Sequence, residues 1–283
     1  MRSLVGAGSL AATGSSTNHR ALCLVTGANA GIGFEMAKGL ARRGARVVLA
    51  CRDQAKGEAA RKTIASDTTN PDIELLVVDL ASQQSIRSAA QEFSRMHDAL
   101  DVLVNNAGTS SPKRRESPDG IELTFATNVL GYHLLTGQLL ELLRRAPAAR
   151  VVNVASMMAY GLDLDDVNFK RRRYDPSTAY AQSKQADRML TWALARRLAD
   201  TSVTVNALHP GTVNTALLRA LAPGFSGLTP AEGADTAIWL ATSPEVAGVS
   251  GRLWVRRRET PCEFRGRENE EALWSLCDRM TAR

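Results

Sequence analysis

No stretch of this sequence is apolar for long enough to cross a bilayer. The richest, residues 134–143, is broken by Gly137, Gln138 and Glu141 and falls well short of the roughly 20 apolar residues that a membrane helix needs. Cysteine is scarce: Cys23, Cys51, Cys262 and Cys277 form no Cys-x-x-Cys pair, so neither a disulfide framework nor a thiolate metal site is indicated. The histidines His19, His97, His133 and His209 are scattered, and no metal is expected. Cys23 and Cys51 fall in apolar, strand-like runs, where a free thiol acts as a small buried hydrophobe. A reducing compartment fits best, and a cytoplasmic location is the expectation.

Charge of one sign is in modest excess, with 35 Lys and Arg against 29 Asp and Glu, a net +6 that favours anionic partners. The basic clusters at 113–115, 170–173 and 256–258 carry no interleaved aromatic residues and match no nucleic-acid module, so they read as solvated loops and no nucleic-acid partner is expected. The second cluster could also border a substrate entrance. What is present is an ordinary globular composition, 44% apolar and 23% charged over 283 residues, which argues against collagen-like, coiled-coil and wholly disordered chains.

Residues 1–20 are rich in Ser, Gly, Ala and Thr and lack acidic residues, which predicts a flexible tail. A targeting peptide is the alternative, but its apolar portion, 4–12, is interrupted by Gly6, Gly8 and Ser9. From Ala21 onward, short apolar runs alternate with helix-period segments, the pattern of βαβ units around a buried parallel sheet. Strands are predicted at 21–25, 46–50, 73–78, 102–104, 150–155, 203–208 and 252–255, and helices at 31–43, 54–66, 82–97, 118–145, 178–200 and 230–242. The reading is one Rossmann-type domain over 21–256: a doubly wound, mainly parallel seven-stranded α/β sheet with helices on both faces. A C-terminal extension, 257–283, packs on or near it and carries a closing helix at 270–280.

Directly after the first strand comes Thr26-Gly27-Ala28-Asn29-Ala30-Gly31-Ile32-Gly33, a tight turn opening a helix. Glycines there permit close backbone approach, and a helix N-terminus offers free N–H groups and a favourable dipole to a pyrophosphate. The spacing departs from Gly-x-Gly-x-x-Gly, and three glycines alone could equally be an ordinary loop. Five further patterns follow in order. They are Asp79-Leu80 after the third strand, Asn105-Asn106-Ala107-Gly108 at the end of the fourth and Thr127-Asn128-Val129-Leu130-Gly131, then Ser156 with Tyr180-Ala181-Gln182-Ser183-Lys184, and His209-Pro210-Gly211 with Thr215.

This series resembles the short-chain dehydrogenase/reductase family over almost the whole chain from Leu22 to about Gly251. The resemblance implies a catalytic set of Asn128, Ser156, Tyr180 and Lys184. It also implies a dinucleotide site of Gly27, Asn29, Ala30, Gly31, Ile32, Gly33, Arg52, Asp79, Leu80, Asn106, Ala107, Gly108, Pro210, Gly211, Val213 and Thr215, shared with Tyr180 and Lys184. Tyr180 and Lys184 stand four apart and share a helix face. A tyrosine normally titrates near 10, and an ammonium beside it favours the phenolate, which suits Tyr180 to acid/base work on a carbonyl or alcohol. Ser156 would stabilise charge growing on the substrate oxygen. By the resemblance, Lys184 would bond the nicotinamide ribose and Asn128 would position a water linking Lys184 to solvent. A catalytically silent dinucleotide-sensing interaction protein is the alternative reading.

The second strand ends Cys51-Arg52-Asp53. An acidic residue at the strand end would favour NAD(H), whereas Arg52 can pair with a 2′-phosphate, so NADP(H) is the expected cofactor and NAD(H) the second choice. The 24 positions from Ser156 to Tyr180 exceed the family's commoner spacing, and together with Cys51-Arg52-Asp53 and Leu208-His209-Pro210-Gly211 the inserted segment resembles the retinol dehydrogenase-like branch. That branch implies a small-molecule substrate, a lipophilic alcohol, aldehyde or ketone. The insertion and residues 212–229, with Leu217, Leu218, Leu221 and Phe225, are expected to flank it as an apolar lid. In many relatives the helices carrying Asn128 and Tyr180 make subunit contacts, so a homo-oligomer is favoured slightly over a monomer.

Overall fold

A computed structural model describes residues 20–221, 224 and 226–282, so that residues 1–19 of the expected tail lie outside the described residues. β1 (Leu22–Thr26) and β4 (Val102–Asn105) are buried along their whole length, and β2 (Arg46–Cys51) and β5 (Arg150–Val154) at all but the first residue. Strands apolar on both faces need helices on both sides. With β3 (Ile73–Val77), β6 (Thr204–His209), β7 (Leu253–Val255) and β8 (Arg258–Thr260) they form one sheet in the order 3-2-1-4-5-6-7-8.

Seven strands were expected and eight are present. β1 to β7 run parallel, while β8 turns back antiparallel against β7. The reversal is made by Arg256 and Arg257, at φ +50° and +59°. Two consecutive positive-φ residues suit a tight hairpin, but that geometry is normally signalled by Asn-Gly or Asp-Gly, and two arginines give no such signal. The chain beyond 256 is therefore partly sheet.

One face of the sheet is covered by α1 (Gly31–Arg42), α2 (Gln54–Thr68) and α9 (Pro230–Thr242), around a core that includes Met36, Leu40, Leu49 and Ile64. The other is covered by α3 (Gln83–Met96), α5 (Gly131–Gln138), α6 (Leu140–Arg145) and α7 (Pro176–Arg197), with Phe93, Leu103 and Leu135 at the centre. α10 (Arg267–Thr281) packs outside α7 and buries Leu273 and Cys277 in a third cluster with Trp192. The expected helix at 118–145 is broken. A turn at Gly120 leads into α4 (Leu123–Phe125), capped by the Glu122 carboxylate, then a π-helical turn at Ala126–Leu130 before α5 and α6. At Gly131 the helix runs so close to the chain after β3 that a Cβ would lie 2.9 Å from Leu80. Among the described residues, no helix is long and apolar enough to cross a membrane.

Because β1 pairs with β2 on one side and β4 on the other, the crossovers leave in opposite directions and open a crevice at the strands' carboxyl ends, where sheets of this kind place their ligands.

Candidate active site

The turn after β1 is knotted to the end of β4. Thr26 Oγ1 accepts from the backbone N–H groups of Asn106 (2.8 Å) and Ala107 (3.0 Å), and Asn106 Nδ2 donates to the Thr26 carbonyl at 2.8 Å. Two glycines make this approach possible. A Cβ on Gly27, at φ +67°, would lie 2.9 Å from Ala107 Cα, and one on Gly33 would lie 2.4 Å from both the Gly27 carbonyl oxygen and Asn106 Nδ2.

The turn delivers α1 with its N-terminus uncapped. Ala30 offers no side-chain hydrogen bond, whereas Asp53, Ser82, Asp175 and Thr229 cap α2, α3, α7 and α9. The free N–H groups of the first turn and the helix dipole are suited to an anion. They open on a cleft of about 410 Å³.

Most of the residues expected to hold a dinucleotide line this cleft. Gly27, Asn29, Ala30, Gly31, Ile32 and Gly33 form one wall, with Arg52, Asp79, Leu80, Asn106, Ala107, Gly108, Pro210 and Thr215 around it and Tyr180 and Lys184 at the far end. Gly211 and Val213 are not part of its wall. Gly211 turns at φ +91° beside Leu228, and Val213 is buried, bridged to Leu228 and packed against Gly233.

At the end of β2 three neighbours have separate tasks. The buried Cys51 thiol is pushed up to about 11 by burial, with the N–H groups of Ala28 and Asn29 pulling the other way. Asp53 accepts from Lys56 N–H at 3.0 Å as the cap of α2, a bond that lowers its carboxyl below the usual range. Arg52 is exposed at the cleft and, among the described residues, its guanidinium has no hydrogen-bond or ion-pair partner. Of these three neighbours at the end of β2, the charge left without a partner among the described residues is thus positive.

Tyr180 and Lys184 lie one turn apart on α7 and both reach the cleft. Lys184 is buried, with Nζ 6.0 Å from the Tyr180 ring centroid and 5.2 Å from that of Tyr132. Nζ donates at 2.8 Å to the Val154 carbonyl and at 2.8 Å to Asp187. Burial opposes the ammonium, but Asp187, Tyr132 and Tyr180 outweigh it and hold Lys184 above the ordinary lysine range. Among the described residues the Tyr180 hydroxyl has no protein partner.

Ser156 follows β5, and Arg188 of α7 donates to its carbonyl. Its hydroxyl oxygen accepts from Met158 N–H at 3.1 Å, which leaves the hydroxyl proton to donate. Asn128 sits in the π-helical turn. Its Oδ1 accepts from Thr109 N–H at 2.8 Å, and Nδ2 donates to the Thr109 carbonyl at 3.1 Å and to Ser183 Oγ at 3.0 Å. Both donors are committed to protein, so the side chain ties the cleft wall at Thr109 to α7. Neither Ser156 nor Asn128 belongs to the cleft wall itself.

The inserted segment between Ser156 and Tyr180 is pinned down. Asp166 accepts from the N–H groups of Lys170 (2.7 Å), Arg171 (3.0 Å) and Arg172 (3.0 Å), and Gln182 of α7 donates to the Val167 carbonyl at 3.0 Å. At its start Met157 and Tyr160 stay exposed, at 48% and 46%. Of the expected lid, Leu217 lines the cleft from α8 (Ala216–Leu221), whereas Phe225 lies outside the described residues. Sequence reasoning passed over Thr109, Leu123 and Thr127 of the wall and the knot made by Thr26. It also passed over Asp187, whose only signal was an acid three positions after Lys184.

Comparison with known proteins agrees with this geometry. The family model described as short chain dehydrogenase matches residues 21–224. Human retinol dehydrogenase 13 is 38% identical over 275 residues, covering 91% of this chain and 83% of that protein, and human retinol dehydrogenase 14 is 40% identical over 291 residues, covering 93% and 86%. Among solved structures, a protein from Mycobacterium paratuberculosis superposes with a TM-score of 0.77 at 33% identity, covering 93% of each chain. A short chain dehydrogenase from Escherichia coli CFT073, complexed with NADPH, superposes with a TM-score of 0.70 at 26% identity, covering 84% of this chain and 97% of that one. The knotted glycine turn, the cleft at the sheet's switch point and these matches agree, and the chain belongs to the short-chain dehydrogenase family of oxidoreductases, in its retinol dehydrogenase-like branch.

Proposed function

We propose that this protein is an NADP(H)-dependent oxidoreductase that interconverts a lipophilic ketone or aldehyde and its alcohol, with Tyr180 as acid/base. The observation that carries the reading is the convergence of Tyr180 and Lys184 on the same cleft as the glycine turn and the uncapped end of α1. The cleft fits a dinucleotide: the space a Cβ would fill at Gly33 is taken by backbone and Asn106, and Arg52 is a free cation beside it.

Bound there, the dinucleotide would supply or accept the hydride. The α1 N-terminus would hold the pyrophosphate, Arg52 a 2′-phosphate, and Asp79 and Leu80 the adenine end. Asp53 does not compete at the ribose because its carboxylate is engaged at the start of α2. Tyr180, whose hydroxyl has no protein partner among the described residues, gives its proton to the carbonyl oxygen in reduction and takes it back in oxidation. Ser156 donates its hydroxyl proton to the same oxygen, a bond that strengthens as negative charge grows there. Exposed Met157 and Tyr160 beside Ser156, with Leu217 across the cleft, support an apolar substrate.

The test follows nicotinamide fluorescence while NADPH and NADH are titrated into the wild type and Arg52→Ala. Losing one charge-assisted bond, worth about 1.5–3 kcal/mol, weakens NADPH about 10- to 100-fold and leaves NADH nearly unchanged. Tighter NADH than NADPH binding in the wild type would reject the cofactor assignment. A carbonyl panel with NADPH then tests the chemistry: turnover falls by orders of magnitude in Tyr180→Phe, and an undiminished rate would reject Tyr180 as the acid/base.

A further inference from the structure

Lys184 is not a free cation beside Tyr180. Its Nζ is held at 2.8 Å by the Asp187 carboxylate, and both side chains are almost wholly buried, at 4% and 1%. A buried pair of opposite charges has little net field at a distance, so an ammonium compensated in this way favours a neighbouring phenolate less than a bare one would. Asp187 faces Lys184, with Tyr180, on α7 and Tyr132 on α5, whose hydroxyl is held by the Ala107 carbonyl. From α10 it meets the buried Cys277 thiol, and Asn153 of β5, whose amide is bonded to Asn105 of β4, lines the same cavity. Arg188, the next residue of α7, directs its guanidinium to the Ser156 carbonyl.

The second oxygen of Asp187 is buried and has no hydrogen-bond partner among the described residues. Asp187 nevertheless forms part of the wall of a second cavity, about 250 Å³, between α5, α7 and α10 on the side away from the glycine turn. His133, bonded to Asp278, and Arg144 and Arg197, whose guanidinium groups pair with Glu141 and Glu271, also line that cavity. Burial pushes the Asp187 carboxyl up to about 6, with Lys184 pulling the other way.

We propose that Asp187 is a positioning residue of the site: it holds Lys184 against β5 and cancels its charge, and in this way sets the pH at which Tyr180 ionises. The proposal rests on the reading of Tyr180 and Lys184 as the acid/base pair, and its test does not need the substrate.

Phenolate formation is followed by absorbance near 295 nm, with NADP bound, in the wild type and in Tyr180→Phe, so that the difference isolates Tyr180 from Tyr132, Tyr160 and Tyr174. The same difference is taken between Asp187→Asn and the Asp187→Asn, Tyr180→Phe double variant. Asparagine keeps the size and removes the charge, which leaves Lys184 uncompensated, and the Tyr180 step is expected to move to lower pH by about one unit or more. Asp187→Ser provides a second charge-free side chain and is expected to move the step the same way. Asp187→Leu, which also removes the anchor, is expected to raise the Kd for NADPH in a fluorescence titration as Lys184 loses its hold, whereas Asp187→Asn does not. A Tyr180 step within 0.3 units of the wild type in the folded Asn and Ser variants overturns the proposal. Carbonyl turnover that survives in Tyr180→Phe overturns the catalytic reading instead, and the titration still decides what Asp187 does to Tyr180.

Discussion

Gly33→Ala is the sharpest probe of the cofactor turn, because the space for one methyl group is already occupied. The added Cβ would stand 2.4 Å from the Gly27 carbonyl oxygen and 2.4 Å from Asn106 Nδ2, where ordinary contact begins at 3.4 Å, so about an ångström must be found in two directions. Asn106 can rotate, but its amide then gives up the 2.8 Å bond to the Thr26 carbonyl. Gly27 is backbone, fixed by its own close approach to Ala107, and moves only with the turn. Overpacking of this kind costs about 1–3 kcal/mol, and an amide left without its partner costs about 1–3 more. The shift also carries the α1 N–H groups away from the pyrophosphate proposed for them. Losing one charge-assisted bond there, about 1.5–3 kcal/mol, corresponds to a roughly 10- to 100-fold rise in Kd for NADPH. The assay pairs fluorescence titration of NADPH with chemical unfolding of the free protein. Gly137→Ala in α5 is the control, since, beyond its own stretch of helix, no atom of the described residues lies within 4 Å of the methyl group it adds. Alanine there is expected to stabilise by about 0.5–1 kcal/mol through helix propensity and to leave NADPH binding unchanged. If Gly33→Ala binds NADPH within twofold of the wild type and unfolds at the same denaturant concentration, the close packing of turn and β4 is refuted.

Two further outcomes test the frame around the site. His209, at the end of β6, is pushed down to about 4 by burial, with Arg188 and Arg256 adding to the effect. Below about 6.5 the unfolded chain takes up this proton before the folded one does, so stability falls as the pH drops from about 6.5 to 4 and the effect levels off below that. The size is about 3 kcal/mol, read as the difference between wild-type and His209→Asn unfolding free energies across that range so that other groups cancel; parallel curves would contradict the burial of a neutral imidazole. Leu273 of α10 is fully buried, and Leu273→Ala is expected to cost about 2–5 kcal/mol in denaturant unfolding; a loss below about 0.5 kcal/mol would show that α10 is not part of the core.

What could be foreseen, and what could not, divides along the range of the interaction. Strands such as β1, β2 and β5 fall within a residue of their expected positions because a strand buried on both faces must be apolar without interruption, which a short window detects. Tyr180 and Lys184 share a cleft because four residues on a helix bring two side chains to one face, a local consequence again. The misses are of another kind. The hairpin at Arg256 and Arg257 uses residues that only a neighbouring strand can hold at positive φ, and the break in the 118–145 helix is tied to Gly131 pressing on Leu80, some fifty positions away. The charges show the same division most clearly. Arg52 and Asp53 are adjacent in sequence and bring opposite signs to the end of β2, and which of the two is engaged becomes visible only when α2 takes Asp53 as its cap. Lys184 reads as a bare ammonium until α7 folds and brings Asp187 back one turn to face it. Side chains that bear charge are recognisable by type, but the charge that a substrate meets depends on which of them have already been neutralised, and that is decided by packing.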